Sequence, residues 1–403
     1  MRVLQINATY ALGSTGTIVR DIHHLCGENG IESFVVFSTG PAESPDCFYR
    51  MGTMIDHKIH ALLCRVAGKQ AYFSNAATRR LFSYIDSVKP DVVHLHNLHS
   101  NYINLNLLLE YLAEREIKTV VTLHDCWFFT GGCFHYAAVG CQKWKESCGK
   151  CIKQRQDTPA LCYDASADIL RDRLRYFSKL KNITFVGASQ WIANQLKTST
   201  LGHVGTVTYL HNGVDTDVFS PRSGDIRQKL GLDDKKVILA PAGKWMLDVN
   251  AEALDYFAAN LPADYVMVLF GYDGKLKRYA DNVVFYGFTR SREEMAELYS
   301  MADVMANCSR EDTLSTINLE CQSCGTPVVT YDSTGMLETI DGDCGYAVKT
   351  GDYHGLYSEV MKVISTGKEV YSNKCREFIL RNFEKVVNYN KYIGLYKSLF
   401  NEK

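Results

Sequence analysis

Short runs of apolar, β-branched residues recur along the chain, and between them apolar residues fall at helical spacing. Val3 to Ile6 is the first such run, and residues 17–29 then carry Ile18, Ile22 and Leu25 at steps of four and three ahead of Gly27 and Gly30. Ser33 to Phe37 is apolar again. Strand, helix, strand predicts a βαβ unit and therefore a parallel sheet, because a parallel neighbour can be reached only by a crossover. Further strands are predicted at Asp91 to Leu95, Thr119 to Leu123 and Ile183 to Gly187, with helices at about 76–88 and 104–115.

A second series of strands opens with Val204 to Leu210. It continues through Val237 to Pro241, Tyr265 to Phe270, Val283 to Tyr286, Asp303 to Ala306 and Pro327 to Thr330. Polar residues with Pro221 and Gly224 follow Phe219, which makes this stretch the best linker candidate. The domain crossing is thus expected between Gly187 and Gly224. From about 371 the tail carries Phe378, Ile379, Tyr392, Leu395, Tyr396 and Leu399 at spacings that predict amphipathic helices. The expected division is residues 1–200, 201–375 and 376–403, with a cysteine-rich insertion at about 126–162 in the first part.

Length agrees with this pattern: 403 residues suit two domains of roughly 200. A formal net charge of −1 disfavours a nucleic-acid partner, which would require an excess of Lys and Arg. The apolar stretches are strand-sized, far below the roughly 20 residues that span a bilayer. Nor does the start of the chain resemble an export signal. A cytoplasmic protein is expected, peripheral at the inner face of the membrane if it meets a membrane at all. The basic residues Arg171, Arg173, Arg175, Lys179 and Lys181, interleaved with Leu170, Leu174, Phe177 and Leu180, suit either a helix lying on anionic lipid or a solvated face.

Of the 14 cysteines, Cys126, Cys133, Cys141, Cys148, Cys151 and Cys162 crowd one segment. In a chain expected to stay reduced, Cys133, Cys141, Cys148 and Cys151, which end in Cys-x-x-Cys, form a candidate structural zinc site, with unliganded thiols as the alternative.

In parallel folds ligands bind beyond the carboxyl ends of the strands, so the loops after them hold the candidate chemistry. After the first strand, Gly13 and Gly16 allow backbone N–H groups to approach an anion at a helix start, or merely turn the chain. Ser309 to Val329 includes Asp312 and Glu320, two carboxylates able to accept hydrogen bonds from sugar hydroxyls across a helix that opens near Thr313; Asp312 acting only as a helix cap is the plainer reading. His94, His96, His99 and His124 lie near other strand ends. His-Leu-His alternates along a strand and reads as pocket lining rather than as a catalytic metal site.

Asp312, Glu320 and Gly325-Thr-Pro327 resemble the donor-site signature of glycosyltransferase family 4, with Asp312 where a Glu is usual. His211-Asn-Gly-Val-Asp215 resembles the family's interdomain motif and Ser189-Gln-Trp its preceding helix start. His94-Leu-His-Asn97, Thr122-Leu-His-Asp125 and Thr130-Gly-Gly-Cys133 resemble capsule- and exopolysaccharide-type members. The resemblance covers nearly the whole chain. It implies an α/β GT-B fold, two Rossmann-like domains facing each other across a cleft, with the C-terminal helix returning to the N-terminal, acceptor-side domain. It further implies a retaining transfer of sugar from a nucleotide-diphosphate sugar to a glycan or polyprenyl-linked acceptor in cell-surface polysaccharide biosynthesis, with no cofactor required.

By the same resemblance Glu320 binds the ribose, and Asp312 with the backbone after it at Thr313 and Leu314 holds the donor hexose. His124 sits beside the reacting sugar, Gly16 approaches the donor phosphates, and His96, Asn97 and Asp125 face the acceptor side. One departure stands out. The family clamps the diphosphate with an Arg and, five residues on, a Lys; here Lys244 fills the first position and Val249 the second. Arg310 is the candidate replacement. A sugar-nucleotide epimerase of the same fold and a non-catalytic nucleotide-sugar-binding subunit are the alternatives.

Overall fold

The central apolar runs become strands because they are buried on both faces between helices, whereas edge strands such as Thr206–Tyr209 are only partly covered. The computed structural model describes residues 1–157, 160–272, 274 and 279–401. Its chain divides into two compact units, Met1–His211 with Tyr389–Lys403, and Asn212–Asn388.

In the first unit β1 (Arg2–Ile6), β2 (Glu32–Phe37), β3 (Phe48–Arg50), β4 (Val92–Leu95), β5 (Lys118–Leu123), β6 (Ile183–Gly187) and β7 (Thr206–Tyr209) make one sheet in the order β3-β2-β1-β4-β5-β6-β7. Every pairing is parallel. Helices α1 (Gly13–Glu28), α2 (Met54–Ala67), α3 (Asn75–Val88), α4 (Leu105–Glu114), α5 (Ser166–Phe177) and α6 (Gln190–Lys197) make the connections. Ser189 caps α6 by accepting from the Ile192 N–H, as the Ser-Gln-Trp start predicts.

The second unit repeats the plan. Strands β8 (Lys236–Pro241), β9 (Tyr265–Phe270), β10 (Val283–Tyr286), β11 (Val304–Asn307), β12 (Val328–Tyr331) and β13 (Gly345–Val348) run in the order β10-β9-β8-β11-β12-β13, again all parallel. Its helices are α7 (Ile226–Lys229), α8 (Ala242–Trp245), α9 (Ala251–Asn260), α10 (Arg292–Met301), α11 (Thr316–Ser323), α12 (Tyr353–Thr366) and α13 (Lys368–Asn382). Both orders contain the 3-2-1-4-5-6 arrangement of dinucleotide-binding sheets, in which the strand order reverses between the first strand and the fourth. That reversal opens a crevice at the carboxyl ends of β1 and β4 in one unit and of β8 and β11 in the other.

Three expectations are corrected. Thr206–Tyr209 does not open the second series: it pairs in parallel with β6, so the first unit runs to His211 rather than to 200. Phe219 to Asp225 is no free linker. Phe219 is buried beside Tyr299, and its carbonyl accepts from Ser323 Oγ at 2.5 Å and Arg376 Nη1 at 2.7 Å. Finally, the tail changes units at Tyr389, not at 376, within the last helix α14 (Lys385–Asn401). Tyr389, Tyr392, Ile393, Tyr396 and Leu399 bury against Val3, Ile22 and Val120 of the first unit.

Candidate active site

In the first unit Asn7 follows β1 directly and is fully buried. Its side chain donates to the Thr9 carbonyl at 2.7 Å and accepts from the Asn97 N–H at 3.0 Å, which joins the loop after β1 to the loop after β4. Gly16 lies in the first turns of α1 against this loop. The Ala11 N–H donates to its carbonyl, and a Cβ there would stand 2.8 Å from Thr9 Oγ1. Only glycine lets helix and loop close so tightly.

The histidines divide by role. His94 is enclosed, bonded to Tyr396 Oη at 2.6 Å and Thr122 Oγ1 at 2.7 Å, and so ties the sheet to α14. His96 and His124 form a relay whose proton positions follow from one fixed end. Gln5 Nε2 donates to the Val19 carbonyl at 3.2 Å, so its Oε1 can only accept, and His96 Nε2 must donate to it at 3.3 Å. His96 Nδ1 then accepts from His124 Nε2 at 3.1 Å. That leaves His124 Nδ1 as a lone-pair acceptor; it is buried and has no hydrogen-bond partner among the described residues. Burial pushes both rings below the ordinary histidine range, His124 to about 4, so both are neutral at physiological pH. An orphaned buried acceptor costs about 1–3 kcal/mol, which a ligand hydroxyl donating to Nδ1 would recover.

Asp125, next to His124, accepts from the Trp127 N–H at 2.8 Å and meets His99 Nε2 at 3.2 Å. Burial pushes its carboxyl up, but the His99 and Trp127 contacts outweigh this and hold it below the usual carboxylate range.

In the second unit the switch point carries charge instead. Lys244 lies on α8, three residues beyond the end of β8, and Arg310 three beyond the end of β11. Buried Asn250 connects them: its Nδ2 donates to the Lys244 carbonyl at 3.0 Å, and its Oδ1 accepts from Arg310 Nε at 3.0 Å. Arg310 Nη2 donates to the carbonyl of Val249 at 3.0 Å, so the guanidinium docks on the residue that occupies the second cation's position. The Val249 side chain itself is 56% exposed. Both cations pull down the buried Cys308 thiol that burial pushes up, which places them around one spot. Neither Lys244 nor Arg310 has a carboxylate partner among the described residues.

The segment from Ser309 to Ser315 is held from both sides. Ser309 N–H donates to Asn307 Oδ1, Ser333 Oγ donates to the Ser309 carbonyl, and Asp312 N–H donates to Thr334 Oγ1 at 2.9 Å. Gly335 packs so closely that a Cβ would collide with the Thr313 carbonyl at 1.7 Å. Asp312 is not the helix cap. Helix α11 begins at Thr316, after Ser315, and Asp312 precedes it, so the two carboxylates do not share a helix. The Ser315 hydroxyl is engaged by Asn307 Nδ2 at 3.3 Å and makes no cap bond. Thr313 and Leu314 are buried, with Thr313 Oγ1 lacking a partner among the described residues.

Glu320, on α11, accepts from Tyr299 Oη at 3.1 Å. Burial pushes its carboxyl up to about 7, against the lowering effects of the Tyr299 hydroxyl and the nearby Arg292 charge. Asp215 of the Asn-Gly-Val-Asp motif has a bracing role within the second unit: it pairs with Lys385 at 2.7 Å and Arg292 at 3.2 Å. Gly213 beside it leaves room for the Lys385 backbone, where a Cβ would come within 2.3 Å.

Cys133, Cys141, Cys148 and Cys151 line one cavity of about 240 Å³. Burial pushes the Cys133 and Cys148 thiols up to about 12 and about 11. No group of three or more His, Cys, Asp or Glu among the described residues is arranged to hold a metal ion. The expected basic face of α5 is also altered. Arg173 is buried, stacks on Trp127 at 4.0 Å and bonds to the Trp127 and Thr130 carbonyls, while Lys179 and Lys181 pair with Glu110 and Glu116.

Gln5, Asn7 and Asn250 are site residues that motif reading missed. The signal for Gln5 was a polar residue inside an apolar strand.

Residues 15–218 match the family model described as Glycosyltransferase Family 4, and residues 242–366 match Glycosyl transferases group 1. The putative colanic acid biosynthesis glycosyl transferase WcaC of Escherichia coli K12 is 22% identical over 435 aligned positions, covering 99% of this chain and 100% of that one. The D-inositol 3-phosphate glycosyltransferase of Mycolicibacterium smegmatis is 32% identical over 172 residues, 38% of this chain and 40% of its own. Among solved structures, sucrose-phosphate synthase from Thermosynechococcus elongatus superposes with a TM-score of 0.68 at 15% identity, over 100% of both chains. Anabaena HepE in complex with UDP-glucose superposes with 0.65 at 14% identity, over 99% of this chain and 100% of that one.

Proposed function

This chain belongs to glycosyltransferase family 4, and from that premise we propose that it takes a hexose from a nucleoside-diphosphate sugar and adds it, with retention at the anomeric carbon, to a glycan or polyprenyl-linked acceptor of a cell-surface polysaccharide. The observation that carries the donor assignment is the pair of cations Lys244 and Arg310, joined through Asn250 and free of carboxylate partners among the described residues. As a glycosidic bond to a diphosphate breaks, negative charge grows on the departing phosphate oxygens, and preorganised cations stabilise that charge more than they stabilise the ground state.

The remaining roles follow the chemistry of each side chain. Glu320 accepts from the ribose hydroxyls. Asp312 and the backbone at Thr313 and Leu314 hold the hexose, and Gly16 lets the loop after β1 approach the phosphates. His124 Nδ1 accepts from a sugar hydroxyl, in the tautomer that Gln5 and His96 impose. His96, Asn97 and Asp125 shape the acceptor side. The binding-subunit alternative rested on Val249, and the contact of Arg310 with that residue's carbonyl supports the reading that Arg310 supplies the missing cation.

Calorimetric titration of UDP, GDP and ADP, each with its diphosphate sugars, tests the reading in wild-type, Arg310→Gln and Glu320→Ala proteins. UDP and UDP-glucose come first, since the structurally similar HepE binds them. Selective binding of one base, weakened by both substitutions, is expected. Failure of every nucleotide to bind would overturn the donor site.

A further inference from the structure

Helix α2 is built inside out. Its residues form a well-terminated helix: Thr53 and Asp56 make a reciprocal capping box, and Gly68 closes the other end in the left-handed conformation at φ 68°. Yet of its 14 residues only His60 and Cys64 are buried. His60 bonds to Ser74 Oγ at 2.7 Å and Cys64 donates to the Lys69 carbonyl at 3.1 Å. The aliphatic residues face outward instead: Met54 is 73% exposed, Ile55 68%, Leu62 60% and Val66 54%, with Ile59 and Leu63 also exposed. A helix normally buries this stripe to hold its place in a fold. Here the fold leaves it uncovered.

The strip continues beyond the helix. Leu161 N–H donates to the Arg65 carbonyl at 2.8 Å, and the Tyr163 backbone packs on Gly68, so exposed Leu161 and Tyr163 extend the apolar surface past the end of α2. Cations flank it. Lys58 and Arg65 on α2 and Arg79 on α3 are exposed and without ion pairs among the described residues, and Arg80 meets Asp56 at 3.9 Å. The acids on these two helices are otherwise engaged, Asp56 in the helix cap and Asp86 with Arg115.

We propose that α2 is a membrane-docking helix, its strip from Met54 to Val66 resting among the lipids of an anionic bilayer surface with Leu161 and Tyr163 beside it. Aliphatic residues flanked by free cations match a surface of acyl chains beneath anionic headgroups. A second copy of the chain fits less well: a two-fold contact would bring the same patch against itself, cation against cation. The helix lies on such a surface and does not cross it, since none among the described residues is long and apolar enough to span a membrane. This surface is distinct from the donor-site residues and does not depend on their assignment.

The test is co-sedimentation of the full chain with phosphatidylcholine vesicles and with equimolar phosphatidylcholine–phosphatidylglycerol vesicles, without donor or acceptor. Wild type is expected to pellet with the anionic vesicles, Ile59→Glu/Leu62→Glu to bind about tenfold less or weaker, and Lys58→Glu/Arg65→Glu to lose the preference for anionic lipid. All four positions are exposed, and unchanged melting and nucleotide binding verify that the variants fold. Failure of wild type to bind, or undiminished binding by Ile59→Glu/Leu62→Glu, overturns the proposal. So does a dimer in sedimentation velocity that the same pair of substitutions dissolves while vesicle binding is absent. Because nucleotide binding is read separately in solution, loss of the donor reading and loss of this one are told apart.

Discussion

The two sheets share a strand order and a switch point, but the side chains at the two crevices differ in charge. Beyond β4 and β5 stand imidazoles that burial keeps neutral, arranged so that one nitrogen is left as an acceptor. Beyond β8 and β11 stand a Lys and an Arg with no carboxylate to neutralise them among the described residues. One fold plan therefore carries a neutral, tautomer-defined pair of imidazoles in one unit and a pair of cations in the other, which the proposed function assigns to hydroxyl groups and to phosphate. What distinguishes them is the few residues after each strand, which the sheet positions but does not specify.

The sharpest way to break this contrast is to remove charge from the second unit. Arg310→Gln is expected to weaken binding of a nucleoside diphosphate by roughly 10- to 100-fold, the equivalent of one charge-assisted contact of about 1.5–3 kcal/mol, and to leave the nucleoside unaffected. Because Arg310 docks on the Val249 carbonyl and the Val249 side chain is exposed, Arg310→Gln/Val249→Lys should recover about tenfold of that loss. Calorimetry checks both. Equal affinity of wild type and Arg310→Gln would make the guanidinium a structural brace for Asn250 and nothing more.

The neutral site answers to a smaller perturbation. His124→Ala is expected to lower kcat/KM about tenfold, the value of one neutral hydrogen bond of about 1.4 kcal/mol. Nitrogen NMR of the wild type should show His124 protonated on Nε2. Gln5→Leu should mix the two tautomers and lower kcat several-fold, because the end of the relay that orients His96 is gone. His124 retaining a single Nε2–H tautomer in Gln5→Leu would disprove the relay. With its pKa near 4, His124 should add no pH dependence to the rate above about pH 5.

The same contrast marks what was legible in the sequence. Strand identity was legible because β-branched runs such as Tyr265 to Phe270 and Ile183 to Gly187 are buried on both faces and stand out from the polar loops. Two short strands escaped: β3 has three residues, and β13 begins with a glycine at φ 153° followed by half-buried Tyr346. Thr206–Tyr209 was visible as a strand but not as the last one of the first sheet, since pairing is a long-range property. At the candidate site, Lys244 and Glu320 were singled out through motif resemblance and Arg310 as the candidate replacement for the missing cation, whereas the contact of Arg310 with the Val249 carbonyl spans 61 residues of chain. The Gln5–His96–His124 relay likewise joins three strands, and no local pattern encodes it. The exposure of the α2 stripe was not legible either, because its spacing is that of a core helix and nothing local tells that the stripe stays outside.

Glu320 sharpens the comparison last, because it is an acid placed where ionisation is resisted within the cationic unit. Its pKa is about 7 in the fold against an ordinary 4.5, so between those values the native protein holds a proton that the unfolded chain has released. Stability therefore falls as pH rises through that window, and the cost is fully present above pH 7. Glu320→Gln should raise the melting temperature at pH 8 by about 2–4 °C, corresponding to roughly 1 kcal/mol for a partly accessible group, and leave it unchanged near pH 4. Nucleotide binding should move the other way: a carboxylate accepts from ribose hydroxyls with both oxygens, so wild-type affinity should increase as pH rises through 7 and Glu320→Gln should show no such rise. A variant no more stable at pH 8 than at pH 4 would mean that water reaches the carboxylate freely. In that case the charge contrast between the two units would rest on Lys244 and Arg310 alone.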